Sequence, residues 1–181
     1  MAMNHYLSRL PQLARDSITR YFKQEDEIPP VPDALKKFRA GTFITIYTPS
    51  GELRGCVGTI APSCGDVWAE TFANARKSAF EDPRFPPLKA EELVEVTFEV
   101  SVLHAGELLP DSAELNEMLD PELYGIIVRN SSAKQALLLP GIEGVVSWQQ
   151  QVSICRQKGN MDRTEKITIE RFKVDKFMEE K

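Results

Sequence analysis

Between Val94 and Leu103 the chain alternates, with Val94, Val96, Phe98, Val100 and Val102 interleaved with Glu95, Thr97, Glu99, Ser101 and Leu103. A strand turns successive side chains to opposite faces, so this period of two predicts one buried face and one polar face. A strand of that kind needs neighbours and a cover, and the remaining sequence has to supply both.

It does so with helices and hairpins. Leu7, Leu10, Ala14, Ile18 and Tyr21 recur at helical spacing, which predicts one amphipathic helix at the start of the chain. Pro29, Pro30 and Pro32 then force an extended connection. Thr42 to Tyr47 is β-branched and aromatic and reads as a strand, Pro49-Ser50-Gly51 as a turn, and Leu53 to Ile60 as the returning arm. Gly65-Asp66 offers an N-cap for a helix carrying Val67, Trp68, Phe72, Ala75, Ala79 and Phe80, stopped by Asp82-Pro83. Ser112 can cap a short helix through Leu115, Met118 and Leu119. A second hairpin is expected from Tyr124–Val128 and Ala136–Leu139, joined around Asn130-Ser131-Ser132. Ser147 with Gln150 opens a helix that ends at Gly159-Asn160, and a last strand runs from Ile167 to Val174 with a bulge expected near Arg171. Because the pattern lacks regular βαβ alternation, the fold class is α+β: a mainly antiparallel sheet with packed helices, as one compact domain or two closely associated lobes.

Composition narrows the chemistry. The 181 residues carry 22 Lys and Arg against 27 Asp and Glu, a net charge of -5 that lacks the broad positive footprint of a phosphate-backbone binder. No apolar run approaches the roughly 20 residues of a membrane span. The first residues lack a charged segment followed by an apolar one, so no secretory signal is read and a cytoplasmic location is expected. With 2 histidines, His5 and His104, and with Cys56, Cys64 and Cys155 showing no paired spacing, neither a metal site nor a resident cofactor is expected.

The concentrated feature is Leu53-Arg54-Gly55-Cys56-Val57-Gly58-Thr59. Gly55 and Gly58 are poor strand residues and imply a bulge, or a place where a ligand or another backbone comes close. Arg54 and Cys56 share a face unless a bulge intervenes, and a guanidinium beside a thiol favours the nucleophilic thiolate. Cys56 is accordingly the candidate catalytic or recognition group; the alternative is a small buried side chain. Arg54 and Arg84 are candidates for gripping an anion, unless each pairs with Glu81, Asp82 or Glu99 within the fold. Thr59 can donate a hydroxyl to the same ligand, which would approach along Gly55 and Gly58. Cys64 reads as a loop thiol and Cys155 as a buried one.

This motif resembles the LRGCxG signature of the AMMECR domain family, of the AmmeMemoRadiSam system protein A type. The resemblance continues through Leu13 to Ile18, Ala79 to Leu88, Phe98 to Leu103, Gly125 to Val128, Ala136 to Pro140, Glu143 to Val145 and Glu170 to Val174. It departs from a typical member around Gly144 to Arg163. It implies a single AMMECR-type domain over residues 1–181, and a pathway shared with Memo-like and radical-SAM proteins as possible partners. No catalytic residues are carried over from it. Two functions follow as expectations. One is an enzyme-like protein holding a small anionic ligand in a cleft formed by Arg54–Thr59 and the Asp82–Pro87 loop. The other is a non-catalytic adaptor docking a partner protein through the same surface.

Overall fold

A computed structural model describes residues 2–110 and 118–180. It divides into two compact units, residues 1–103 with 175–181 and residues 104–174. The helix expected from Ser112 onward falls largely on residues 111–117, outside the described residues.

The first unit is built on a four-stranded sheet. Its strands are β1 (Thr42–Tyr47), β2 (Leu53–Gly58), β3 (Thr97–Leu103) and β8 (Val174–Met178), in the order β2-β1-β3-β8. β1 pairs antiparallel with both β2 and β3. Helices α2 (Leu10–Phe22) and α3 (Val67–Phe80) cover one face. There Ile44, Ile46, Phe98 and Val100 are fully buried with Leu10, Ile18, Phe72 and Ala75 in one core. The cap expected at Asp66 forms, its carboxylate accepting the Ala69 amide at 2.8 Å.

The expected single N-terminal helix is two. α1 (Ala2–Leu7) stops, and α2 restarts with Pro11 in its first turn, where a missing N–H costs nothing. Leu7, Leu10, Ala14 and Ile18 are buried as the spacing predicts, whereas Tyr21 is 47% exposed and stacks on Phe80 at 4.1 Å. Val94 is also displaced from its expected place. It ends a 3-10 turn, Ala90–Val94, and is 84% exposed, because Glu92 turns back to accept the Lys89 amide and keeps the chain coiled until Val96. Nor is the polar face of β3 simply solvated: Ser101 is fully buried and Glu99 half-buried.

The second unit has its own sheet, β4 (Glu107–Leu108), β5 (Gly125–Asn130), β6 (Gln135–Leu138) and β7 (Ile167–Phe172), in the order β4-β7-β5-β6 and antiparallel throughout. Helix α4 (Trp148–Lys158) packs on it through Cys155, against Ile126, Val128 and Ile169. The β5–β6 hairpin closes as expected, with Asn130 Oδ1 accepting the amides of Ser132 and Lys134. The bulge expected near Arg171 is absent. Arg171 pairs in register with both Ile126 and Glu107, and the apolar phase changes because the strand ends at Phe172 and its continuation, β8, joins the other sheet.

Candidate functional site

The site begins with how α3 lies across the β1–β2 hairpin. Gly55 has no side chain, so the Ser78 carbonyl near the end of α3 comes within 2.5 Å of where a Cβ would sit, while Ser78 Oγ donates to the Ile44 carbonyl at 2.9 Å. α3 then ends at Phe80 and delivers Asp82 and Arg84 to the outer edge of β2. An edge strand presents unpaired backbone groups, and this loop satisfies two of them. The Cys56 amide donates to Asp82 Oδ2 at 2.9 Å, and Arg84 Nη2 donates to the Cys56 carbonyl at 3.1 Å. Arg84 also grips Asp82 through Nε at 3.0 Å and Nη2 at 2.8 Å. Hydrogen bonding from Arg84 holds the Asp82 carboxyl far below the usual carboxylate range; burial opposes this, and the Cys56 and Arg84 amides reinforce it.

The hairpin register explains where Arg54 goes. Ile46 faces Gly55 but Tyr47 faces Leu53, so Arg54 is the extra residue of a bulge. Its guanidinium, 12% exposed, forks onto Glu92 through Nε at 2.8 Å and Nη2 at 3.1 Å, with Nη1 on the Pro86 carbonyl at 3.0 Å. Both arginines proposed as anion grips therefore hold carboxylates of their own fold. Arg54 is enclosed by its partners, while Arg84 is 54% exposed and its charge reaches the Cys56 thiol. Thr59 turns toward α3, donating to Glu70 Oε1 and accepting from Asn74 Nδ2 at 3.1 Å. Gly58 lies against Thr42 and Phe43 of β1.

Cys56 itself is half-buried, with Sγ 3.3 Å from Thr45 Oγ1. Thr45 faces Cys56 on one side and Glu99 on the other. Since Ile44 and Ile46 point into the helical core, alternation puts Thr45, Tyr47, Cys56 and Glu99 together on the sheet's other face. Strand spacing of about 4.8 Å makes this a row roughly 10 Å long, from thiol to carboxyl across a hydroxyl. Burial raises the Glu99 carboxyl, with Lys176 on β8 pulling the other way. The Tyr47 hydroxyl is raised by burial and by the negative charges of Glu99 and Cys56, against a hydrogen bond with Thr45. Such a row can offer a nucleophile at one end and a proton donor at the other. The other thiols are placed differently. Burial pushes Cys155 up to about 11, and Cys64, raised by burial and by Glu70, sits in a loop whose amides bond to Glu70.

The sequence pointed to Cys56, Arg54, Arg84, Asp82 and Glu99. It did not single out Thr45, Tyr47, Glu70 or Glu92. The alternation Thr42 to Tyr47 would have placed Thr45 and Tyr47 on one face, but joining that face to Cys56 requires the register, and the register depends on the bulge. Among the described residues no group of three or more His, Cys, Asp or Glu side chains could hold a metal ion, and no helix is long and apolar enough to cross a membrane.

The clasp predicts an acid-sensitive site. Asp82→Asn should destabilise by about 2 kcal/mol, mostly through the Cys56 amide and the buried carboxylate, since half-exposed Arg84 returns part of its share to water. Asp82 has a depressed folded value, so its contribution is complete above the unfolded value near 4 and drains away as pH falls below it. Urea melts at neutral pH and at about pH 3 check this: the gap between parent and variant should narrow in acid.

The AMMECR1 family model matches residues 11–177. A protein of Clostridium acetobutylicum is 37% identical over 172 residues, covering 93% of this chain, which in turn spans 35% of that protein's length. A protein of Thermotoga maritima is 36% identical over 163 residues, covering 90% of this chain and 91% of its own. The crystal structure of an uncharacterised protein of Pyrococcus horikoshii superposes with a TM-score of 0.85 at 29% identity, over 97% of this chain and 92% of that one.

Proposed function

The chain belongs to the AMMECR1 family, and from that footing we propose that it is an enzyme-like protein that binds or acts on a small anionic ligand through Cys56, in a pathway with Memo-like and radical-SAM proteins. The observation that carries the reading is the double fixing of Cys56. Its backbone is held on the outer edge by Asp82 and Arg84, and its sulfur lies beside the buried Thr45 hydroxyl. Asp82 and Arg84 bond to the backbone alone; the contact specific to the side chain is the Thr45 hydroxyl, 3.3 Å from Sγ, and it meets a half-buried thiol on the strand that the clasp fixes. The half-exposed Arg84 is the cation nearest this role, in place of Arg54, and Glu99, its carboxyl pushed upward by burial, stands at the far end of the row. The pathway assignment rests on the family resemblance alone.

Alkylation tests it. In a Cys64→Ser background, iodoacetamide should label Cys56 in the folded protein and leave Cys155 untouched until unfolding, because Cys155 is fully buried and its thiol is raised. A Cys56 inert from about pH 6 to 9 would sink the proposal. If in addition a Memo-like protein were bound equally by the parent and by Cys56→Ala, the adaptor function would take its place.

A further inference from the structure

The row of polar side chains continues past Thr45 to Tyr47, two residues along β1 on the same face. Beside Tyr47 opens a hollow of about 320 Å³ lined by Tyr47, Thr48, Pro49, Gly51, Thr97 and Met178. Its position on the Cys56 face follows from two observations. Tyr47 and Thr97 are direct cross-strand partners, and Phe177 packs into the helical core, which turns Met178 to the opposite face. A rise of about 3.3 Å per residue and a strand spacing of about 4.8 Å put the Tyr47 and Cys56 positions roughly 8 Å apart. A short linker spans that distance.

The walls have a definite chemistry. A phenol ring, a proline ring and a thioether present apolar surface beside Thr48 and Thr97, the Thr48 hydroxyl being bonded to Ser50 Oγ and the Glu52 amide. Among the described residues, no ionisable group other than the Tyr47 phenol lines the hollow, which suits an uncharged arm. Small-molecule sites combine an apolar pocket with a few placed polar groups, and this volume is at the small end of that class. Aromatic rings pack well against both a tyrosine and a methionine sulfur.

The geometry points to a two-part ligand: an uncharged aromatic or branched aliphatic arm seated between Tyr47, Pro49 and Met178, and a carbonyl-bearing polar end lying over Thr45 between Cys56 and Glu99. This deepens the Cys56 proposal and rests on it for the polar end only; the arm's seat depends on the hollow. The half-buried Glu99 carboxyl, pushed upward by burial, faces the polar end from β3. The position of Tyr47 at the junction gives it contact with both parts.

Two alkylating probes with the same warhead read out the arm. In the Cys64→Ser protein, labelling of Cys56 by 2-iodoacetamide is compared with labelling by N-phenethyl-2-iodoacetamide; in each case a sulfur–carbon bond forms and iodide leaves. The phenethyl probe should saturate, and at low concentration it should react about tenfold faster, the gain expected from burying one ring. Met178→Glu, at a half-exposed position on β8 where folding is little at risk, should bring the ratio of the two rates close to one. Equal rates in the parent would overturn the arm while leaving the thiol proposal standing, as would a preference that survives Met178→Glu. Should Cys56 prove inert to both probes, the unreactive N-phenethylacetamide is titrated against the amide resonances of Tyr47, Thr97 and Met178. Saturable shifts confined to these residues and their neighbours support the hollow independently of the thiol. Their absence overturns it.

Discussion

Gly58→Ala should fold with a loss of about 3–4 kcal/mol, and Gly55→Ala with a loss of about 2 kcal/mol. At Gly58 an added Cβ would stand 2.5 Å from the Phe43 ring and 2.6 Å from the Phe43 Cα, and closer still to the Thr42 carbonyl. Those atoms belong to β1, which is bonded on both sides to β2 and β3 and cannot move aside. A cost of about 3–4 kcal/mol is a large share of a typical domain's stability. At Gly55 the obstacle is the Ser78 carbonyl at 2.5 Å, on a helix that can ride outward by a few tenths of an ångström, so the loss is smaller. The reduced freedom of an unfolded alanine returns about 0.4–1 kcal/mol in both cases. Urea denaturation measures the losses directly. The comparison also separates two roles for the motif glycines: glycines kept for ligand approach would allow alanine to fold normally and cost binding alone. A Gly58→Ala protein as stable as its parent would remove the backbone-contact explanation.

How far the sequence reached depends on how local each determinant is. The helix α3 with its Asp66 cap, the strand β1 and the buried residues Phe98, Val100 and Val102 follow from side-chain period and capping, which act over a few residues. The hairpin β1–β2 was legible as a hairpin, and Gly55 and Gly58 were legible as sites of close approach. What approaches them was not: in both cases it is backbone, from Ser78 and Thr42. The bulge at Arg54 is a register fact, set by which residues of two strands meet, and it decides that Arg54 swings to Glu92, 38 residues away in sequence. Tyr21 and Val94 keep the apolar pattern but fall where an element ends, so the period continues in sequence after the structure has changed. The same holds at Phe172, where an apparent bulge is a change of sheet. For the candidate site, the residues with chemistry in their side chains were visible one at a time. Their grouping was not, since Thr45, Cys56 and Glu99 meet only through pairing of three strands.

Glu70→Ala should cost about 3–4 kcal/mol, and Glu70→Gln only slightly less. Glu70 lies on α3, fully buried, and no basic side chain bonds to it among the described residues. Instead its carboxylate collects donors: Thr59 Oγ1, the Ser63 amide at 2.7 Å, Ser63 Oγ at 3.0 Å, the Cys64 amide at 2.6 Å and Asn74 Nδ2 at 3.4 Å. Burial pushes its carboxyl upward, but the hydrogen bonds from Thr59, Cys64 and Ser63 together outweigh that and hold it below the ordinary value. Alanine would strand two backbone amides in the loop that joins the Leu53–Thr59 segment to α3. Glutamine keeps the shape but must turn its own NH₂ toward one set of donors, so hydrogen bonds are lost and donors are opposed. The folded value is depressed, so Glu70 contributes fully above its unfolded value near 4.3, and the contribution is lost as pH falls through the folded one. Asp82, bonded to the Cys56 amide within β2, acts in the same direction. Acid should therefore loosen both anchors of the Cys56 segment together, seen as a fall in the protection of the Cys56, Ser63 and Cys64 amides, relative to the intrinsic exchange rate at each pH, below about pH 4. A Glu70→Gln protein within about 0.5 kcal/mol of the parent at neutral pH would show instead that the buried carboxylate's charge contributes nothing to holding the loop.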